Sequence, residues 1–159
     1  MATGFGLKTT GIAELDAAFK RLGSIVVRNK IIRPALTKGA RVLKANLKTL
    51  IPKRSGKLKR AIDYIVTTVG GESRGRARRA TGGEVMAKVG ARKGKGGGHF
   101  HLVDQGTKVR RNKKGANRGR VKGAHYLERA TRQSANEVQR VIAEGVADGI
   151  KREFQKRGL

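Results

Sequence analysis

The charge and glycine content of residues 70–123 restricts what the middle of this chain can form. These residues include 16 basic and 3 acidic side chains and 14 of the 23 glycines. Residues 1–69 and 124–159 contribute net charges of +12 and +2, so nearly half of the total charge of +27 lies in the middle. We therefore expect short strands joined by basic loops in this region, with helices on either side.

Apolar residues recur at helical spacing in the N-terminal part of the chain. They step by three or four between residues 12 and 22, and again between residues 36 and 50, so each set predicts one apolar helix face. A break at Gly23 and Ser24 lets Ser24 cap a following helix, and Pro34 either kinks that helix or lies in the first turn of a new one. Pro52 ends it, because the residue before a proline is disfavoured in helical geometry.

The C-terminal part predicts another long helix. From Leu127 to Phe154, apolar residues fall mainly on one side and charged residues mainly on the other. Gly145 and Gly149 each weaken a helix by about 1 kcal/mol relative to alanine. Either these glycines lie against another backbone or subunit, or the helix simply tolerates them.

Two segments between the helices predict strands. Residues 61–69 are rich in β-branched side chains, and residues 84–90 alternate between apolar and other residues. Residues 99–104 predict either a third strand or the start of a short helix. The order of helices, strands and a final helix lacks βαβ alternation and indicates one α+β domain over residues 1–159. In it, a long N-terminal amphipathic helix and a C-terminal helix pack on a small antiparallel sheet.

Three basic loops are expected, at about residues 70–83, 92–98 and 108–122. The third contains eight basic residues and no acid, so we expect it to be disordered or extended until a partner binds. A polyanionic partner could be nucleic acid, an anionic membrane or an acidic protein surface. The side chains predicted to contact it are Arg74, Arg76, Arg78, Arg79, Arg92, Lys93, Lys95, Arg110, Arg111, Lys113, Lys114, Arg118 and Arg120.

The sequence lacks the aromatic residues that stack on single-stranded bases. It contains two Tyr, four Phe and no Trp, and no helix-turn-helix or zinc-finger spacing. Any contact with DNA should therefore be with the backbone and without sequence preference. The alternative is a basic surface that meets acidic faces of neighbouring proteins, and both interpretations stay open.

Residues suited to catalysis or metal binding are sparse. The absence of cysteine excludes a disulfide scaffold and thiolate metal sites, and favours a reducing cytoplasm. His99 and His101 would share a face of a strand, and His125 could join them as a metal ligand. Surface histidines are the favoured interpretation, because no carboxylate pattern accompanies them. Asp104 is expected to be a structural anchor that pairs with an arginine or caps a turn at Gly106 and Thr107.

Three motifs occur in order along the chain. Residues 50–58 read LIPKRSGKL, residues 101–107 read HLVDQGT, and residues 124–130 read AHYLERA. This ordered set resembles the tailed-bacteriophage neck and tail-completion family, typified by gene product ten of a lambdoid phage, over roughly residues 12–155. The residues that carry the motifs are Pro52, Ser55, Gly56, Leu58, Asp104, Gly106, Thr107, Tyr126 and Leu127.

The resemblance implies a non-enzymatic structural protein of the virion, assembled in the cytoplasm of the bacterial host, with no cofactor or metal. It would form a homo-oligomeric ring, a hexamer, between the head connector and the tail tube. Its partners would be connector or head-completion proteins and tail-terminator or tail-tube proteins, with DNA in the channel as a further candidate. No membrane contact is expected, since no apolar run approaches the length of a membrane span.

Two other functions compete with this one. The net charge of +27 alone is typical of a nucleic-acid-binding protein without sequence preference, such as a ribosomal or nucleoid component. That protein would bind DNA or RNA tightly as an isolated monomer. The weaker competitor is a metal-dependent nuclease that uses His99, His101 and Asp104, and it would require bound metal in the purified protein.

Overall fold

A computed structural model describes residues 25–52, 56–68 and 85–158, together with Ala17 and Lys20. The helix predicted between residues 12 and 22, the break at residues 23 and 24 and the loop at 70–83 therefore lie outside the described residues, apart from those two positions. The described chain combines helices with one antiparallel pair of strands, and the predicted α+β class is confirmed. The elements are helices α1 (Ile25–Leu50) and α2 (Lys57–Ala61), strands β1 (Ile62–Thr68) and β2 (Val85–Ala91), a 3-10 turn (Lys93–Lys95), and helices α3 (Phe100–Asp104) and α4 (Tyr126–Lys156).

Helix α1 is continuous through Pro34. The interpretation that Pro34 begins a new helix is therefore wrong. The helix ends where Pro52 requires it to end. The Ile51 amide closes the last turn by donating to the Leu47 carbonyl at 3.3 Å. Pro52 follows outside the helix and is itself exposed to solvent.

Helices α1 and α4 pack against each other along one core, in which Ile31, Ala35 and Val146 are buried. The two glycines of α4 lie at this contact. A Cβ atom on Gly145 would stand 3.1 Å from the Ala35 Cβ, and one on Gly149 would stand 2.6 Å from the Ile31 Cγ2. The expectation that these glycines lie against another backbone is confirmed for Gly145, where a Cβ would stand 3.2 Å from the Ala35 Cα of α1, whereas Gly149 lies against the side chain of Ile31.

The two-stranded sheet packs on the C-terminal half of α1. Its strands pair in register from Ile62 opposite Ala91 to Thr68 opposite Val85. Two strands alone are marginally stable in water, so the sheet depends on the core beneath it. That core contains Leu47, Ile51, Ile62 and Ala130, all buried. The first turns of α4 reach this cluster through Tyr126, Leu127 and Ala130.

Within the segment 99–104, residues Phe100–Asp104 form a helix, and the alternative of a third strand is wrong. After β2 the chain folds back at Gly96, whose φ is +81°, and at Gly97, whose amide donates to the Arg92 carbonyl at 3.0 Å. This turn places the side chain of Phe100 against the core beneath the sheet, which we call the second core. His99 and His101 therefore do not share a strand face. Across residues 25–52, 56–68 and 85–158, no three histidine or acidic side chains group as a metal site would require.

Helix α1 carries several charged residues along its length, and α4 carries even more. Among the helices that the structure describes, none is long and apolar enough to cross a membrane.

Candidate interaction surface

Residues 106–122 form a hairpin, which we call the basic hairpin. Its arms are bridged at Gly106 and Lys122, and again at Arg111 and Asn117. Between these bridges, the Arg118 amide donates to the carbonyl of the opposite arm at 2.7 Å. The expectation of disorder is therefore wrong, and the extended alternative describes the segment. Backbone groups pair with one another across the hairpin, which satisfies their hydrogen-bonding requirement although the segment has no apolar core of its own.

Asparagine side chains shape the tip of the basic hairpin. The Asn112 Oδ1 accepts hydrogen bonds from the amides of Lys114 and Ala116 at 3.0 and 2.8 Å. The Asn117 Oδ1 accepts one from the Gly119 amide at 2.8 Å. Asparagine and glycine at these spacings are turn signals. In the sequence these residues indicate a hairpin, whereas the charge alone indicates disorder.

At the base of the hairpin the two arms approach closely, in what we call the hairpin root (Asp104, Gly106, Thr107, Val121 and Gly123). Gly106 has a φ of +84°, and a Cβ there would stand 2.6 Å from the Gly123 nitrogen. A Cβ on Gly123 would stand 2.6 Å from the carbonyl oxygen of the residue after Asp104. The Val121 amide donates to the Thr107 Oγ1 at 2.9 Å. The pair Gly106–Thr107 thus fits this junction because one residue has no side chain and the other accepts a hydrogen bond.

Asp104 joins the hairpin root to the start of α4. Its side chain is 8% exposed, and its Oδ1 accepts a hydrogen bond from the Leu127 amide at 3.0 Å. Its carbonyl accepts another from the His125 amide at 2.9 Å. Asp104 therefore bonds to the amino end of α4, and not to an arginine or to the turn at Gly106. A negative charge at this end of a helix is favoured by the helix dipole.

The three sequence motifs meet in this part of the molecule. In the first, Gly56 has a φ of +66° just before α2, and Leu58 packs against the second core. In the third, Tyr126 and Leu127 pack against the same core. The second motif is joined to the third through Asp104. Ser55 lies outside the described residues.

The basic hairpin presents its charges to solvent. All eight of its basic side chains are exposed, and within the part of the chain that the structure describes none of them forms an ion pair. Like charges on facing arms destabilise a hairpin, so an anionic partner would relieve this repulsion. These residues are Lys108, Arg110, Arg111, Lys113, Lys114, Arg118, Arg120 and Lys122.

A family model described as "Bacteriophage HK97-gp10, putative tail-component" matches residues 13–106. The chain belongs to this family. Comparisons with curated proteins and with solved structures found no match. Within this HK97-gp10-like chain, the match includes α1, the sheet and α3, and it ends at Gly106 in the hairpin root. Apart from Gly106, the basic hairpin and α4 therefore lie beyond the matched segment.

A second group of basic residues in the HK97-gp10-like chain is paired within the molecule. Asp63 lies 2.9 Å from Lys44, 3.2 Å from Arg92 and 3.5 Å from Lys95. The hydrogen bond from Lys44, one from the Tyr64 amide and the charge of Arg92 hold the pKa of Asp63 well below its usual range. Arg92 and Lys95 thus already neutralise an acid, which the hairpin cations do not.

Of the remaining predicted contact residues, the structure describes Lys93 and not the four arginines of the first loop. Lys93 is exposed in the 3-10 turn and has no ion pair among the described residues. The four arginines at 74, 76, 78 and 79 lie outside the described residues. The structure thus brings together one continuous basic surface, the basic hairpin, and it is the candidate site of this HK97-gp10-like chain.

Proposed function

We propose that this chain is a structural subunit of the tailed-phage virion that acts at the head–tail interface, in the neck or in tail completion. It acts as one domain over residues 1–159 and has no enzymatic role. Six copies form a ring that joins the connector to the tail tube, with head-completion and tail-terminator or tail-tube proteins as neighbours. Membership of a phage tail-component family supports the virion role.

The observation that carries the proposal is the basic hairpin, which is ordered and yet unpaired. Its eight exposed cations have no acidic partner in the described structure, whereas Arg92 and Lys95 share Asp63. The hairpin root fixes the whole hairpin to the start of α4 through Asp104. An arm that is already folded loses little conformational entropy when a neighbour binds it. It is therefore suited to contacts between rings of an assembly.

The test is charge reversal in the phage that encodes the chain. Changing Arg110, Lys113, Lys114 and Arg118 to glutamate should leave the subunit folded and block the joining of heads to tails. Unjoined heads and tails would then accumulate in lysates and be counted by electron microscopy. The matched control changes four exposed cations elsewhere to glutamate and should support normal particles. Its four positions are Lys57, Arg129, Lys151 and Arg157.

Infectious particles at the normal yield with the hairpin variant would show that the hairpin has no role in joining. Locating the chain in the particle by cryo-electron microscopy tests the ring itself. A position away from the head–tail interface would refute the proposed station.

A further inference from the structure

The acidic residues of this chain are too few to neutralise the basic hairpin of a second copy. In the described part of the molecule, Asp63, Glu128, Glu144 and Glu153 are ion-paired, and Asp104 is bonded to α4. Across those same residues, the acids that form no ion pair are Glu137 and Asp148. The complete chain has 11 acids against 38 basic residues. A second copy of this chain is therefore a poor source of negative charge for the hairpin, and a strongly anionic molecule of another kind matches it better.

We propose that the basic hairpin binds the phosphate backbone of double-stranded nucleic acid. Its bridged arms, from Gly106 to Arg111 and from Asn117 to Lys122, are six residues each and would extend about 20 Å. A two-stranded ribbon fits the major groove of B-DNA, which is about 12 Å wide. The duplex carries one negative charge per roughly 1.7 Å of its axis, a higher density than a folded protein surface offers.

The side chains of the hairpin favour phosphate over bases. Four of its eight cations are arginines, whose planar guanidinium groups match phosphate in a bidentate manner. The Oδ1 atoms of Asn112 and Asn117 and the Oγ1 of Thr107 are already occupied by backbone amides of the hairpin itself. These oxygens therefore serve the turns and the base of the hairpin itself. Binding should be insensitive to sequence.

The hairpin also favours a duplex over a single strand. Residues 106–122 contain no aromatic side chain on which an unpaired base could stack. Proteins that prefer single strands combine a basic groove with such aromatic side chains. The charge density of the duplex is the feature that this surface can recognise.

The experiment measures binding of the full-length protein to a fluorescent duplex of about 30 base pairs between roughly 50 and 300 mM NaCl, the range in which counterion release is read from the slope. The hairpin variant carries R110Q, K113Q, K114Q and R118Q. The control carries K57Q, R129Q, K151Q and R157Q, so both net charges fall by four, from +27 to +23. Circular dichroism melting confirms that both variants fold.

Each lost phosphate contact should lower the slope of log K against log salt by about 1 and weaken binding about tenfold near 0.1 M salt. We expect the hairpin variant to lose about three to four units of slope, and the control less than one. Equal losses in both variants would overturn the inference, since binding would then follow total charge. Tighter binding to a single strand of the same length would also overturn it.

Competition with polyglutamate distinguishes nucleic acid from an acidic protein surface. If the hairpin substitutions abolish binding to polyglutamate and leave duplex binding unchanged, the partner is an acidic protein and the inference is wrong. The inference rests on the proposed function for the presentation of the hairpin in the particle, but DNA binding is measured without particles. If the protein does not bind DNA but the hairpin variant still blocks head–tail joining, this inference is refuted and the proposed function is not.

Discussion

Asp104 offers the sharpest test of how the hairpin root is held to α4. The D104A substitution leaves the Leu127 amide without its acceptor and removes a charge at the amino end of the helix. Loss of a helix cap costs about 0.5–2 kcal/mol, and loss of a favourable terminal charge costs about 0.3–1 kcal/mol. Asp104 is only 8% exposed, so solvent replaces its hydrogen bond poorly. We expect the free energy of unfolding to fall by about 1–3 kcal/mol.

The loss is measured by urea unfolding at pH 7 and checked by thermal melting. For a chain of 159 residues it corresponds to a fall in Tm of about 3–10 °C. D104N keeps an oxygen at the same position and should recover about half of the loss. The control is E128A, which removes a first-turn acid that pairs with Arg132 at the surface; because both its charge and its ion pair are exposed, it should cost no more than about 1 kcal/mol and less than D104A.

The reasoning would be refuted if D104A unfolded within about 0.5 kcal/mol of the unmodified protein, the range typical of surface substitutions. It would also fail if E128A were as destabilising as D104A. In that case the effect would belong to any negative charge near the helix end.

Three further substitutions test other parts of the structure. G149A gains about 1 kcal/mol of helix preference but forces a Cβ to within 2.6 Å of the Ile31 Cγ2, and overpacking of this kind costs about 1–3 kcal/mol. Denaturant titration should therefore show a net loss, and a gain would contradict the close packing. D63N removes the ion pairs with Lys44 and its neighbours and should lower stability at pH 7. Because the pKa of Asp63 is lowered in the folded state, its contribution to stability is complete above the unfolded value near 4 and fades at lower pH. A difference in stability between D63N and wild type that persists unchanged at pH 2–3 would exclude this cause. H125G relieves a φ of +50° at an exposed residue and should stabilise by about 0.5–1 kcal/mol in thermal melts, whereas a lower Tm would indicate that the imidazole makes a needed contact.

Periodicity accounts for the elements that the sequence predicted well. The strands at residues 61–69 and 84–90 were expected within about one residue of their observed bounds, Ile62–Thr68 and Val85–Ala91. Both segments are long enough for their pattern to show. The end of α1 was also predictable, because Pro52 acts through local geometry alone.

Short elements held by contacts distant in sequence were not predictable in the same way. Helix α3 has five residues, which is too few for a helical period to be distinguished from a strand. The basic hairpin is ordered by backbone pairing and by Asn112 and Asn117, which a count of charges ignores. Charge density correctly indicates repulsion, but it does not measure the hydrogen bonds that oppose it.

The sequence predicted which basic residues make up the candidate site, but not which of them pair with acids of the same chain. The cations of residues 108–122 are evident in the sequence, and the structure leaves them exposed. Nothing in the sequence indicates that Arg92 pairs with Asp63, 29 positions earlier, while Arg110 pairs with no acid of the described chain. Nor does it indicate that the acceptor for the Leu127 amide is Asp104, across the whole hairpin.

The hairpin root uses none of the hairpin's basic side chains. Its hydrogen bonds involve the carboxylate of Asp104 and the hydroxyl of Thr107, and Gly106 and Gly123 allow the two backbones to approach closely. The hydrogen bonds that hold the hairpin to the body therefore do not depend on the charges that the hairpin carries. A single scaffold of this kind can be adapted to a new partner by exchanging one surface hairpin.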